Sequence, residues 1–252
     1  MRTRHDEDLE AGVGRRRYSQ DVNDPVDSVE FAVPLYTLRE AANLVGVPAN
    51  TFHHWARGYL YKTLAGEQRS ASPLVTTTGL GHGPVVPFVG LGEAYVLAAF
   101  RKTGVPMQRI RPAIEWLEKN IGLRAALTSE RLKSDGAEVL YDFARTHSGD
   151  PAAEPFDELV VVRNQQPVFR DVIQQYLQSI TYRDGRLAAI RMVGYTPEVV
   201  LDPRLNFGQP TLVGRGVRVR DVVDRMAAGE PIGDIAADFG LDPRDVRALV
   251  AA

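Results

Sequence analysis

The chain contains no cysteine, which removes disulfide frameworks, thiolate zinc sites and cysteine nucleophiles together and fits a reducing cytoplasm. It has no excess of positive charge either. The formal net charge is -2, so any contact with nucleic acid must come from local basic patches rather than from a global field. Long apolar runs are also missing. The longest lies around Val85 to Phe100 and is interrupted by Glu93, short of what a membrane-spanning helix needs. The amino terminus carries charges where a secretory signal needs an apolar stretch, so no membrane partner is expected. Hydrophobic periodicity is absent from MRTRHDEDLEAGVGRRRYSQDVNDPVDSVE, which reads as a mobile tail over 1–30, with Arg15, Arg16 and Arg17 as a solvated charge run.

What is present is a chain of 252 residues, 44% hydrophobic and 25% charged, enough for one good core or two smaller ones. The expected class is α+β. A winged helix-turn-helix domain is expected over 31–122, a mixed α/β region over 123–203, and a small three-helix domain with a short β-hairpin over 204–252. In the middle region, strands are expected at Glu158 to Arg163 and Gln166 to Phe169, and a helix at Asp171 to Ser179. ITYRDGRLAAIRM sets Asp184-Gly185 between two alternating apolar runs, the signal of a type I′ hairpin.

YTLREAANLVGVPANTFHHWARGYL reads as two short helices joined by a glycine turn. Thr37 followed by Glu40 forms a capping box, Leu38, Ala41, Ala42 and Val45 give one apolar face, and Gly46 ends the helix. In the second helix Phe52, Trp55 and Ala56 fall at core spacing. Asn50, His53, His54 and Arg57 then form a polar stripe opposite them. Amide, imidazole and guanidinium groups are fit for a major groove, because they match base-edge donors and acceptors and phosphate oxygens. The same stripe also fits a solvated helix face. No metal site is expected, since adjacent helical histidines diverge by about 100° and no third ligand sits at a recognisable spacing. No catalytic residue is expected, because nothing singles out an orienting acid and a nucleophile for either histidine. From Tyr61 to Val89 the text turns strand-like and glycine-rich, reading as a wing that carries Lys62 and Arg69. Two further helices, broken at Gly104, follow, the second with Ile110, Ile114, Leu117 and Ile121 on one face.

Over this region the sequence resembles the winged-helix domain of MerR-type regulators, through YTLREAANLVGVPANTFHHWARGYL, the wing and LGEAYVLAAFRKTGVPMQRIRPAI. The resemblance implies that Asn50, Thr51, His53, His54 and Arg57 face the groove while Lys62 and Arg69 meet phosphates. The helix is lightly charged for such a family. It is therefore expected to bind poorly alone and to need the wing, a second copy or a partner protein.

The last fifty residues carry the most specific text. Val213, Val217 and Val219 predict two short strands around Gly214-Arg215-Gly216. Three helices follow: one with Val222, Val223 and Met226, one with Ile232, Ile235, Ala236 and Phe239, and one opened by Asp242, Pro243 and Asp245. Arg215, Arg218, Arg220 and Arg225 crowd the entrance and form a candidate patch for phosphates or for the acidic side chains of a protein. GQPTLVGRGVRVRDVV, MAAGEPIGDIAADFGL and DPRDVRALV resemble a small prokaryotic antitoxin-like domain of unknown function. The combination looks like a large VapB-type antitoxin. This implies a non-enzymatic protein without cofactors whose partners are a PIN-domain, VapC-like ribonuclease toxin and operator double-stranded DNA, and which acts as a homodimer or higher oligomer. The rival reading is a stand-alone MerR-like regulator with a ligand-sensing middle region.

Overall fold

A computed structural model describes residues 33–62, 66–81, 83–102, 107, 111, 114 and 175–251. The expected tail, the expected strands between 158 and 169, and Ile110, Leu117 and Ile121 lie outside the described residues.

The first unit opens with β1 (Pro34–Tyr36), which pairs antiparallel with β4 (Val86–Pro87). Helices α1 (Leu38–Val45) and α2 (Ala49–Arg57) follow β1. The capping box is formed: the Glu40 amide donates to Thr37 Oγ1 at 3.1 Å, and the Thr37 amide donates to the Glu40 carboxylate at 2.8 Å. Phe52, Trp55 and Ala56 are buried, as are Ala41, Ala42 and Val45 of α1, so the apolar faces of the two helices meet as their spacing predicts.

The wing is shorter than expected. Its paired strands are β2 (Tyr59–Lys62) and β3 (Gln68–Ala71), with Tyr59 opposite Ala71 and Lys62 opposite Gln68. The described residues that follow, 72–81 and 83–85, form a loop that folds back on α2, where the Leu74 and Val75 amides both donate to the Trp55 carbonyl, at 2.7 and 3.1 Å. Helix α3 (Phe88–Lys102) is buried at every residue from Phe88 to Phe100, as a helix that is apolar all round must be. The charge that interrupts it, Glu93, is only 3% exposed. It accepts from the Thr76 amide at 2.6 Å and from the Thr76 hydroxyl at 3.0 Å, so it holds the loop rather than facing water.

The third sheet is antiparallel throughout and is built, in this order, from β5 (Ile180–Arg183), β6 (Arg186–Arg191), β7 (Val199–Leu201) and β8 (Thr211–Leu212). The β5 and β6 strands form the expected hairpin, with Asp184 and Gly185 at φ 55° and 71°, the positive values that a type I′ turn requires. The sheet then runs across residues 203 and 204 through β7 and β8.

Helices α4 (Val219–Ala227), α5 (Ile232–Phe239) and α6 (Pro243–Ala251) complete the carboxyl-terminal unit. The expected second strand at Val217 to Val219 is not formed. The Leu212 amide donates to the Val217 carbonyl at 2.8 Å, which closes a tight turn over Val213 to Gly216. One isolated bridge joins Thr211 to Arg218, and Val219 already begins α4.

Two apolar clusters result. The larger joins α1, α2 and α3 to Ile180, Ile190 and Leu201 of the sheet. The smaller is built on Val199, Leu212, Val222, Ile235, Val246 and Leu249.

Candidate functional site

The second helix of the helix-turn-helix presents its polar stripe beside the wing, but the stripe divides into two kinds of residue. Asn50 and His53 are exposed and make no hydrogen bond or ion pair among the described residues. Their neighbours Phe52 and Trp55 are 0% and 3% exposed. The helix is thus fixed by its core face while these two polar groups stay free to meet another molecule. Thr51 is half-buried on the same helix.

His54 and Arg57 are turned toward their own domain. The His54 ring lies 4.8 Å from that of Tyr59, which lies 5.9 Å from that of Tyr61, so an aromatic seam joins α2 to the wing. Arg111 sits over the Tyr59 ring at 5.9 Å. The Arg57 guanidinium donates to the Gly79 carbonyl and, at 3.4 Å, to the Thr77 hydroxyl. On the wing, Lys62 is exposed at the end of β2, and Arg69 is paired with Glu67 at 3.2 Å. Both ends of that pair are more than half exposed, so water screens it and Arg69 can exchange Glu67 for a phosphate at little cost.

The four arginines of the carboxyl-terminal patch are not equivalent. Arg218 is bidentate on Asp221 at 2.9 and 2.8 Å, and Arg220 meets Asp224 at 3.3 Å. Arg225 is an internal brace: it donates to both oxygens of Glu230 and, at 2.6 Å, to Asp238, and lies 5.0 Å over the Phe239 ring. This hydrogen bonding raises the Arg225 pKa and lowers that of Glu230. Arg215 is the exposed member that makes no ion pair among the described residues. Its guanidinium rests where a side chain at Gly240 would project, since a Cβ there would come within 3.1 Å of Arg215 Nη1.

Sequence reasoning missed one feature. Asn206, Phe207 and Gly208 form a turn in which all three residues are left-handed, at φ 48°, 55° and 75°. Each non-glycine residue held there costs on the order of 1 kcal/mol or more. Surrounding bonds impose the shape. The Asn206 side-chain Nδ2 donates to Thr211 Oγ1 and to the Gly216 carbonyl, both at 3.0 Å, and the buried Tyr36 hydroxyl donates to the Gly208 carbonyl at 2.7 Å. Burial first, and Glu40 second, push the Tyr36 phenol above its ordinary pKa, so it stays protonated and able to donate. A Cβ at Gly208 would lie 2.2 Å from the Tyr36 oxygen, so glycine is required there by space as well as by φ. The outcome is Phe207 at 81% exposure. Asn and Gly both tolerate this backbone and are a partial turn signal, whereas Phe carries none.

Among the described residues no group of three or more His, Asp or Glu side chains is placed to hold a metal ion, and no helix is long and apolar enough to cross a membrane.

Residues 34–114 match the family described as "Putative DNA-binding HTH domain", and residues 199–251 match the one described as "Protein of unknown function (DUF433)". These matches define a helix-turn-helix DNA-binding protein whose carboxyl-terminal residues match a second family. The chain is 44% identical over 224 residues to the "Putative antitoxin VapB45" of Mycobacterium tuberculosis, a match that covers 87% of this chain and 93% of that protein. It is also 30% identical over 221 residues to the "Uncharacterized protein Rv2308" of the same organism, covering 84% and 87% of the two chains. The crystal structure of Rv2018 from Mycobacterium tuberculosis superposes with a TM-score of 0.72 at 40% identity, covering 87% of this chain and 98% of that one. The chain belongs to the VapB45 family of VapB-type antitoxins.

Proposed function

We propose that the protein is the antitoxin of a type II toxin–antitoxin pair. It binds and neutralises a PIN-domain, VapC-type ribonuclease and, as a homodimer or higher oligomer in the cytoplasm, binds operator DNA to repress its own operon. It works by binding alone and catalyses no reaction. The observation that carries the DNA half is the pairing of an exposed Asn50 and His53 with a wing bearing Lys62 and Arg69, on a helix anchored by Phe52 and Trp55. Asn50 and His53 read base edges, and Lys62 and Arg69 contact phosphate. Thr51 stands beside them. His54 and Arg57 contribute by fixing the helix against the wing and the loop, and reach the groove only from that held position. The toxin-facing half is assigned to the carboxyl-terminal unit. There Arg215, flanked by Arg218 and Arg220, offers positive charge to an acidic surface, with Arg225 as the brace behind them.

A gel-shift titration at fixed salt, with the promoter fragment upstream of the protein's own gene, tests the assignment. The double variant Asn50→Ala, His53→Ala should bind at least about tenfold more weakly, since each good base contact contributes about 1–3 kcal/mol. Lys62→Ala should reduce the slope of log affinity against log salt by about one. Unchanged affinity in the double variant would remove the stripe from the interface.

A further inference from the structure

The left-handed turn at 206–208 displays a side chain, Phe207, whose exposure no contact among the described residues explains. Three residues sit in a backbone region that two of them enter only against steric resistance. Tyr36, Thr211 and the Gly216 carbonyl are all committed to holding them there. The side chain so displayed is a phenyl ring that is 81% exposed, in water, where an apolar group is least favoured. Its surroundings match it. Leu205 in the same turn and Val213 in the neighbouring one are 43% and 48% exposed. The Asn206 to Gly216 bond brings the 213–216 turn alongside Phe207. Arg204 precedes the turn and Arg215 lies in the neighbouring one, and both are exposed and without an ion pair among the described residues. The display is therefore an aromatic residue on a backbone that is held in place, flanked by smaller apolar side chains and by two cations without an ion pair among the described residues.

We infer that the Leu205–Gly208 turn is the anchor by which this protein grips its protein partner, with Phe207 entering an apolar socket and Arg204 and Arg215 meeting carboxylates at the socket rim. The inference rests on the antitoxin reading, under which the partner is a nuclease whose acidic metal-binding groups supply those carboxylates. Energetic centres of interfaces are rigid aromatic and arginine side chains in desolvated pockets, ringed by contacts that exclude water. A loop whose backbone is already fixed loses little conformational freedom on docking. Operator DNA is a poorer fit to this surface, because a charged phosphate backbone offers no apolar socket for an exposed phenyl ring.

Phe207→Gly is the decisive variant, because it removes the ring and relieves the backbone at once. The full-length variant should melt no lower than the parent. Its binding to the purified product of the neighbouring gene, which the antitoxin reading expects to be a PIN-domain protein, followed by biolayer interferometry, should weaken at least tenfold. Phe207→Leu should retain most of the affinity, and Arg215→Gln should lose severalfold with a steeper dependence on salt in the parent than in the variant. Operator affinity and sedimentation behaviour should be unchanged in all three. If the parent captures the PIN-domain protein and Phe207→Gly does so equally well, the anchor is overturned while the antitoxin reading stands. If the parent fails to capture it, the antitoxin reading falls and the anchor with it. A Phe207→Gly variant that instead loses operator affinity, self-association or melting temperature while keeping capture assigns the turn to DNA, to a second copy or to the fold itself, and overturns the proposal.

Discussion

Asp242 has two roles at the start of α6. Its carboxylate takes the Arg244 side chain at 3.1 and 2.9 Å and accepts the Arg244 backbone amide at 2.7 Å, which is the helix cap the sequence predicts. The guanidinium first, and the amide second, hold its pKa down at about 2. Since the folded value lies below the ordinary one, the stability it contributes is present at neutral pH and is lost as pH falls through about 2. The Arg244 side chain is 84% exposed, so water screens the ion pair and the cap is the more durable part of the contribution. Circular dichroism melts should show the parent losing melting temperature as pH is lowered from about 4 to about 2. Asp242→Asn keeps an oxygen for the cap but has no proton to gain. It should melt lower than the parent at neutral pH and lose less on acidification. Parallel curves for the two proteins would show that the shift is not coupled to folding.

The elements differ in how far their neighbours lie along the chain, and this decided what was legible in the sequence. The capping box at Thr37 and Glu40, the Asp184-Gly185 hairpin and the three carboxyl-terminal helices depend on residues a few positions apart, so their chemistry is written locally. The wing is shorter than its text suggests because strand-like text between Leu74 and Val85 is used as a loop laid on α2, where the Trp55 carbonyl takes two of its amides. Arg57 was readable as a polar stripe residue, but its bonds to Thr77 and Gly79 were not, since they lie 20 and 22 positions away. Glu93 is the strongest instance: it breaks an apolar run in the sequence, yet in the fold it holds the loop that carries the partners of Arg57. Glu93→Ala leaves the Thr76 amide and hydroxyl without this acceptor. Hydrogen bonds to a charged group contribute roughly 1.5–3 kcal/mol each, so a loss of about 3 kcal/mol is expected, read as a lower urea midpoint. Operator affinity should fall with it, because the loop that fixes the end of α2 is loosened. Full operator binding together with a lowered midpoint would separate the loop from DNA recognition.

Across the whole molecule, β7 is the strand that belongs to both cores. Val199 is fully buried in the carboxyl-terminal cluster, and Leu201, two residues on, is 1% exposed in the larger one. Val199 and Val200 stand opposite Leu212 and Thr211, and the Val213 amide donates to the Glu198 carbonyl at 3.0 Å. A second tie is the Tyr36 hydroxyl on Gly208, which joins residues 172 positions apart. The division that the sequence placed at 203 and 204 therefore cuts the sheet, whereas the carboxyl-terminal family match begins at residue 199, on β7 itself. This gives a test of where the carboxyl-terminal unit starts. A fragment of residues 204–252 keeps three helices but lacks Val199 from its core and the partner strand of β8. At that size, losing one core residue and an edge pairing leaves too little buried surface for a stable fold. It should show no cooperative thermal transition. A fragment of residues 195–252 restores β7 and should melt cooperatively, though below the full chain because Leu201 and the Gly208 carbonyl have lost their partners. Cooperative melting of the shorter fragment at the same temperature as the longer one would mean that β7 only connects the two units and does not help to hold either together.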